Sequence, residues 1–402
     1  MTPATWTAVA GCVHAVTDGR TWTAGRGLGA FLDGRRLSVN AARPLADCLV
    51  GTGFAYTLQR RTEQGRLVAE VLPRVRDIRR IGSAALDLCS IATGSLDLYY
   101  ERGLRPWDHA AGGLVAIPTE TVYGLAGDAT NAAAVTRIFE VKGRPGDHPL
   151  IVHLSSTDEL DEWASDVPAA ARLLTDAAWP GPLTVIVPRA VGVLDAVTGG
   201  LDTVGLRVPS HPLTLQLLER TGVGLAAPSA NRFGAVSPTT AAHVVRDLAE
   251  RLDPRRDVIL DGGPCPIGVE STIVDCASSP PQILRAGGVP VEEVRRLLAG
   301  DLADTSGPSR ASGMLASHYA PRCAVRLVDS ADDAFALRSG TIGAEILDLT
   351  DDLVAYAREL YARLRDADDR GIATLIAVLP PAQGLGHAIR DRLAKAAAPR
   401  PR

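Results

Sequence analysis

Residues 113–125 read GLVAIPTETVYGL. An apolar run meets Pro118; two threonines, a glutamate and a tyrosine follow, and Gly124 closes the stretch. A short apolar run with such punctuation reads as a buried strand. Polar groups that begin where a strand ends lie in a loop at the sheet's rim, where α/β proteins hold ligands. The same residues also suit a helix start, with Thr119 or Thr121 as the cap; on this segment alone both readings stand. Outward from it, strand-like runs at 150–154, 183–187 and 205–208 alternate with Ala- and Leu-rich helical patterns up to about residue 300. That alternation predicts α/β layers over residues 113–300.

On either side the pattern changes. Residues 1–112 alternate short strand-like runs with turns at Asp18-Gly19 and Asp33-Gly34, then give a helical stretch near 61–75. Gly25-x-Gly27-x-Gly29 is followed by the strand-like FLDGRRLSV rather than by a helix, so it is not a dinucleotide-binding loop. Residues 304–312 are small and polar with proline and glycine, and they read as linker within 301–322. Residues 323–402 predict a strand, a helix over 353–366, a strand over 374–378 and a last helix before a basic tail.

The chain has 402 residues, more than one ordinary domain, and no internal repeat. At 46% hydrophobic and 22% charged it carries enough apolar matter for sizeable cores, which excludes a disordered or fibrous chain. A net charge of −4 gives no overall positive field for nucleic acid or membrane, although a local basic cleft is compatible with it. The six cysteines are scattered, without Cys-x-x-Cys or zinc-ligand spacing, and read as reduced thiols. Neither a signal peptide nor an apolar run approaching the about 20 residues of a membrane span is seen. The expectation is a cytoplasmic protein.

Further motifs follow the opening one. Lys142-Gly143-Arg144-Pro145, with His148 and His153 downstream, sets two cations about a glycine in a loop that proline stiffens, suited to phosphate or carboxylate or to a plain solvated turn. Arg207 stands in an apolar strand; buried there, it needs a protein carboxylate or an anionic ligand. Ala227-Pro228-Ser229-Ala230-Asn231 and Ser237-Pro238-Thr239-Thr240 offer small hydrogen-bonding groups of the kind that cradle phosphates. Asp261-Gly262-Gly263, Gly268-Val269-Glu270-Ser271-Thr272 and Leu284-Arg285-Ala286-Gly287-Gly288 complete the set.

Together, and in this order, the motifs resemble those of the YrdC-like threonylcarbamoyl-AMP synthase family. The resemblance implies a twisted α/β sheet around a basic cavity. It implies the formation of threonylcarbamoyl-AMP and pyrophosphate from L-threonine, bicarbonate and ATP, with Mg²⁺ accompanying the nucleotide and no other metal site. The product would pass to a tRNA threonylcarbamoyl transferase; whether this chain binds tRNA directly is left open. By resemblance Thr121, His153, Arg207 and Ser271 hold threonine. Arg144, His148, Thr203, Ser229, Ser237 and Arg285 hold ATP, and Lys142 with Arg144 serves the chemistry at the phosphates or the carbamate. His148 stands where many relatives have asparagine, and Trp107–Gly112 replaces the helix that usually precedes the first strand. Ser317-His318-Tyr319-Ala320-Pro321 resembles the segment that crosses back over the site in two-domain members, with Tyr319 on the nucleotide. Residues 323–402 look like the family's smaller α/β C-terminal domain, somewhat shortened.

Residues 1–112 are different in kind. Gly82–Leu88 and the Trp107–Gly112 run are similar to the C-terminal half of inositol monophosphatase-like enzymes, where the Trp-Asp aspartate, here Asp108, binds Mg²⁺ and a glutamate such as Glu101 touches the sugar. The earlier acidic motifs are missing, so this partial segment is expected to be inactive. Two other functions compete with the synthase: an RNA-binding module without catalysis, and a Mg²⁺-dependent sugar phosphatase acting through the first 112 residues.

Overall fold

The structure, a computed structural model, describes residues 10–15, 18–25, 29–54, 58–100, 113–253, 257–300, 302–303 and 319–399. Two compact units divide the chain, Met1–Gly112 and Gly113–Arg402.

A nine-stranded mixed sheet organises the second unit. Its strands are β1 (Val115–Ile117), β2 (Gly124–Asp128), β3 (Ile151–His153), β4 (Leu183–Pro188), β5 (Thr203–Arg207), β6 (Leu225–Ala226), β7 (Val258–Ile259), β8 (Thr272–Asp275) and β9 (Gln282–Arg285). They lie in the order β7-β1-β2-β6-β3-β5-β4-β8-β9. The β7–β1, β3–β5 and β4–β8 pairs are parallel and the rest antiparallel. Each predicted apolar run of this region forms a strand, whereas β6 and β7 span two residues each and are too short for any periodicity to announce. Leu183 through Val187 are all buried, so β4 is covered on both faces and reads as an unbroken apolar run.

Helix Ala132–Lys142 shows how the sequence delivers the cationic loop. The Asn131 side chain caps its start, accepting from the backbone N–H of Ala133 (3.0 Å) and Ala134 (3.3 Å). Val135, Ile138 and Phe139 turn into the core, and Gly143 at φ 64° ends the helix in the left-handed region. Asp257 ties this helix to the sheet. Its buried carboxylate accepts from the N–H groups of Leu114 (2.8 Å) and Asp253 (2.7 Å) and from both terminal nitrogens of Arg137. Asp257→Ala would remove the buried carboxylate that the guanidinium and two N–H groups share, at an expected loss of about 3–5 kcal/mol in denaturant unfolding. A loss below about 1 kcal/mol would show that water replaces the carboxylate there.

A second, parallel sheet follows in the same unit. Thr374–Val378 lies between Ala324–Val328 and Ala344–Leu347, flanked by helices Ala331–Ser339, Leu353–Asp369 and Gly386–Ala397. Asp352 caps the middle helix through Val354 and Ala355 N–H, and Tyr356, Leu360, Tyr361 and Leu364 recur on its buried side. That helix runs three residues past the predicted end, to Asp369, before Gly371 at φ 68° turns the chain.

In the first unit an antiparallel sheet joins Ala10–His14, Thr21–Gly25, Gly29–Leu32 and Arg35–Arg36. The Asp33-Gly34 turn takes positive φ at both residues, as a tight hairpin demands. A parallel sheet of Asp77–Arg79, Leu49–Thr52 and Leu98–Tyr100 follows, with helices Leu58–Val71 and Ala84–Ala92. The predicted helix near 61–75 therefore starts earlier and stops sooner, because Pro73 cannot donate the next helical bond. Glu101 and the run 107–112, with Asp108, lie outside the described residues, as do 304–318 of the linker with Ser317 and His318. All six cysteines are free. No helix among the described residues is long and apolar enough to cross a membrane.

Candidate active site

The β1–β2 loop closes on itself before it can start a helix. The Thr119 hydroxyl accepts from the N–H groups of Thr121 and Val122 (both 3.2 Å) and lies 2.7 Å from the Val122 carbonyl. Threonine here shapes a turn, and the helix-cap reading falls. Glu120, between the two threonines, is buried and pairs with Arg207. Its second oxygen accepts from Ser210 N–H at 2.9 Å. Burial alone would raise the Glu120 carboxyl; the Arg207 charge and these hydrogen bonds outweigh it and hold the group ionised. Of the two partners the sequence allowed for Arg207, the chain supplies the carboxylate. The guanidinium also donates to Thr121 Oγ1 (3.0 Å) and to the Gly181 carbonyl (3.2 Å).

Sheet register then brings the next groups together. His153 on β3 pairs directly with Arg207 on β5, and Ile273 on β8 with Arg285 on β9. Between them Thr184 of β4 pairs with Ile273, and the β4–β5 pairing of Val185 with Leu206, carried one residue further, sets Thr184 beside Arg207. One transverse row therefore holds His153, Arg207, Thr184 and Arg285. Ser271 joins it at the mouth of β8: its hydroxyl lies 2.8 Å from Thr184 Oγ1, and Arg285 donates to its hydroxyl (3.1 Å) and carbonyl (3.0 Å). Gly287 permits this approach, since a Cβ there would meet the Glu270 carbonyl oxygen at 2.3 Å. Burial, then the Arg207 charge, push His153 down to about 3, so the ring is neutral, and its Nδ1 has no hydrogen-bond partner among the described residues.

The cationic loop packs on the Pro228–Asn231 segment. Lys142 is buried; its Nζ donates to the carbonyls of Ser229 and Asn231, with no ion-paired carboxylate among the described residues. Burial, and next the Arg144 charge, drive its pKa well below the lysine range. Arg144 donates to the Pro149 carbonyl at 3.0 Å and is lowered to about 10 by burial. Phe233 N–H closes back on the Lys142 carbonyl (3.0 Å), and the His148 ring meets Phe233 edge-on at 5.6 Å. This is a fastened, half-buried loop and not a solvated turn. Ser237 donates to Glu270 at 2.6 Å. Tyr319, at φ 59°, is buried with its ring 5.5 Å from that of Tyr361, and the neighbouring Ala320 N–H bonds to the Gly234 carbonyl.

The expected residues thus form two groups. Thr121, His153, Arg207, Ser271 and Arg285 share the row and its rim, and Lys142, Arg144, His148 and Ser229 share the loop. Thr203 lies away from the row: it begins β5 where Arg207 ends it, about 13 Å along the strand at 3.3 Å per residue, and the β3–β5 register of Ile151 with Gly205, carried two residues back, sets it near Pro149, whose carbonyl accepts from Arg144. Sequence reasoning missed Glu120 and Glu270 as partners of the buried cations, although both lie inside quoted motifs. It also passed over Asn231, whose buried Oδ1 has no hydrogen-bond partner among the described residues.

Comparison with known proteins places these features. Residues 109–287 match the family profile described as "Telomere recombination", and residues 289–398 match that of the threonylcarbamoyl-AMP synthase C-terminal domain. Residues 5–118 match the inositol monophosphatase family. A threonylcarbamoyl-AMP synthase of Pyrococcus abyssi is 40% identical over 314 residues, covering 71% of this chain and 90% of that protein. The crystal structure of P. abyssi Sua5 complexed with L-threonine matches with a TM-score of 0.66 at 38% identity, over 71% of this chain and 91% of that one. The inositol-1-monophosphatase of Mycobacterium leprae is 51% identical over 112 residues, which cover 27% of this chain and 38% of that enzyme. With its motifs in order, its sheet register and these likenesses, the chain belongs to the threonylcarbamoyl-AMP synthase family and carries an inositol monophosphatase-like segment ahead of the family's two domains.

Proposed function

We propose that the chain forms threonylcarbamoyl-AMP and pyrophosphate from L-threonine, bicarbonate and ATP, for threonylcarbamoylation of tRNA by a separate transferase. The observation that carries this is the register row: a neutral imidazole, two buried guanidiniums and two hydroxyls lie side by side, next to a loop whose buried lysine donates to the carbonyls of Ser229 and Asn231. Thr121, His153, Arg207 and Ser271 would bind threonine, the ligand named for the solved P. abyssi relative. The neutral His153 ring accepts a hydrogen bond where a protonated ring would repel a charged amine.

The chemistry proceeds in two steps. The threonine amine attacks bicarbonate carbon, losing water, to give a carbamate. A carbamate oxygen then attacks the α-phosphorus of ATP, and the bond to the β-phosphate breaks to release pyrophosphate. Negative charge gathers on the phosphates, where the buried Lys142 and Arg285 and the half-buried Arg144 stabilise it without reorganising water. Burial also protects the carbamate from hydrolysis. Arg144, His148, Thr203, Ser229, Ser237, Arg285 and Tyr319 would hold the nucleotide. Mg²⁺ would enter with ATP: among the described residues no three His, Cys, Asp or Glu side chains gather as a cage, and the phosphates bring the oxygen ligands this ion takes.

The test is pyrophosphate release from ATP with each substrate omitted in turn. The reading predicts that release requires threonine and bicarbonate together. Equal release without threonine would contradict it.

A further inference from the structure

Apart from Tyr319, the site groups named so far come from the nine-stranded sheet and its loops, yet the C-terminal helices reach into its centre. Glu270, one residue before Ser271, is buried. One carboxylate oxygen accepts from Ser237 Oγ (2.6 Å), and the Tyr361 hydroxyl lies within 3.0 Å of both oxygens. The other oxygen accepts from Arg392 Nε at 2.8 Å. Arg392 is fully buried, donates also to the Ala286 carbonyl (2.9 Å), and stacks its guanidinium 5.5 Å from the Tyr319 ring. A second arginine of the same helix as Tyr361 holds the neighbouring loop: Arg365 pairs with both Asp247 oxygens and donates to the carbonyls of Val236 and Ser237. The helix backbone itself abuts this segment, since a Cβ on Gly268 would meet Arg358 Cα at 2.4 Å.

The main chain of Glu270 is fixed independently, its carbonyl accepting from Gly288 N–H at 3.0 Å. What the C-terminal helices set is the direction of its carboxylate. A carboxylate clasped by an arginine is ionised and can only accept, so Ser237 must spend its one proton on it. The Ser237 oxygen is left with lone pairs alone. Burial opposes ionisation, but the Arg392 and Arg285 charges prevail and hold Glu270 down to about 2.

We propose that Glu270, held by Tyr361 and Arg392, is a positioning residue for ATP: it orients Ser237 so that its oxygen accepts a hydrogen bond from a donor on the nucleoside and does not donate to a phosphate. This rests on the assignment of Ser237 to the nucleotide. The accessory sheet and its helices thereby act on nucleotide binding without touching the reacting atoms.

The test compares full-length Tyr361→Phe, which keeps the ring against Tyr319 but removes both hydrogen bonds to Glu270, with Ser237→Ala. Tyr361→Phe should raise KM for ATP about three- to tenfold, and Ser237→Ala at least as much. KM for threonine and inhibition by tripolyphosphate, which has phosphates and no nucleoside, should both stay within about twofold, because Ser271 and the cations are placed by other bonds. A merely structural role for Tyr361 would lower the unfolding midpoint and leave this split absent. If Ser237→Ala raises KM for ATP and Tyr361→Phe does not, the positioning proposal fails while the site reading stands. If Ser237→Ala has no effect on ATP, the site reading fails and the proposal with it. Tripolyphosphate inhibition weakened in parallel with ATP would overturn the assigned direction of the hydrogen bond.

Discussion

Arg207→Ala should lower kcat/KM by on the order of a hundredfold to a thousandfold, with the larger part in threonine-dependent steps. Three acceptors lose their donor at once: the Glu120 carboxylate, Thr121 Oγ1 and the Gly181 carbonyl. Glu120 has about 4% of its surface exposed and would keep backbone donors such as the Ser210 N–H but no counter-charge from Arg207, an uncompensated buried charge worth about 3–5 kcal/mol of lost stability. That raises the concern that activity falls only because the fold does. Arg207→Ala combined with Glu120→Ala separates the two effects. Removing both partners should restore most of the unfolding free energy but none of the activity, if the guanidinium serves the substrate as well as Glu120. Activity recovered together with stability would show that Arg207 is only a structural ion-pair partner. Arg207→Lys should not substitute, because one ammonium cannot span three acceptors in the guanidinium's plane.

Lys142→Met should cost a comparable factor, on the order of a hundredfold or more, and it should also change the pH dependence. In the free chain the ammonium is buried against two carbonyls, and burial pulls its pKa well below the lysine range. Bound phosphates would favour the charged form and raise that pKa again. Between the two values, ATP binding therefore takes up a proton, and affinity falls as pH rises through that window. Calorimetric titration in two buffers of different ionisation heat should show proton uptake for the wild-type chain and none for Lys142→Met. The same uptake in both would place the coupled group elsewhere.

How much of this the sequence carried depends on the kind of feature. Long apolar runs announced their strands: 374–378 is a strand over those residues, and 183–187 gains only Pro188. Helix Ala331–Ser339 and strand Ala344–Leu347 went unpredicted. That helix has one buried residue, Ala334, and leaves Phe335 and Leu337 exposed, so no helical period of apolar residues marks it. One signal was available, the Ser330-x-x-Asp333 cap in which Ser330 accepts from the Asp333 N–H at 3.1 Å.

For the site, residue types and order were legible while partnerships were not. Arg207 and Glu120 are 87 positions apart and Arg392 and Glu270 122 apart, and only the folded sheet and the docked helices bring each pair together. The row that joins His153 to Arg207 is a property of register, which local sequence does not encode when the strands are separated by a helix. The glutamates inside the motifs carried no assignment in the sequence, and the structure makes them counter-ions of the buried Arg207 and Arg392.

The central claim is that one site in residues 113–300 joins threonine, bicarbonate and the adenylyl group. Incubation of the full chain with ATP, threonine and isotope-labelled bicarbonate, followed by mass spectrometry of the nucleotides, tests it most directly. The account predicts an AMP adduct that carries both threonine and the labelled carbon, formed with one pyrophosphate each, and lost in Arg207→Ala and Lys142→Met. Pyrophosphate release without a labelled adduct, or an adduct that forms equally in both variants, would contradict it.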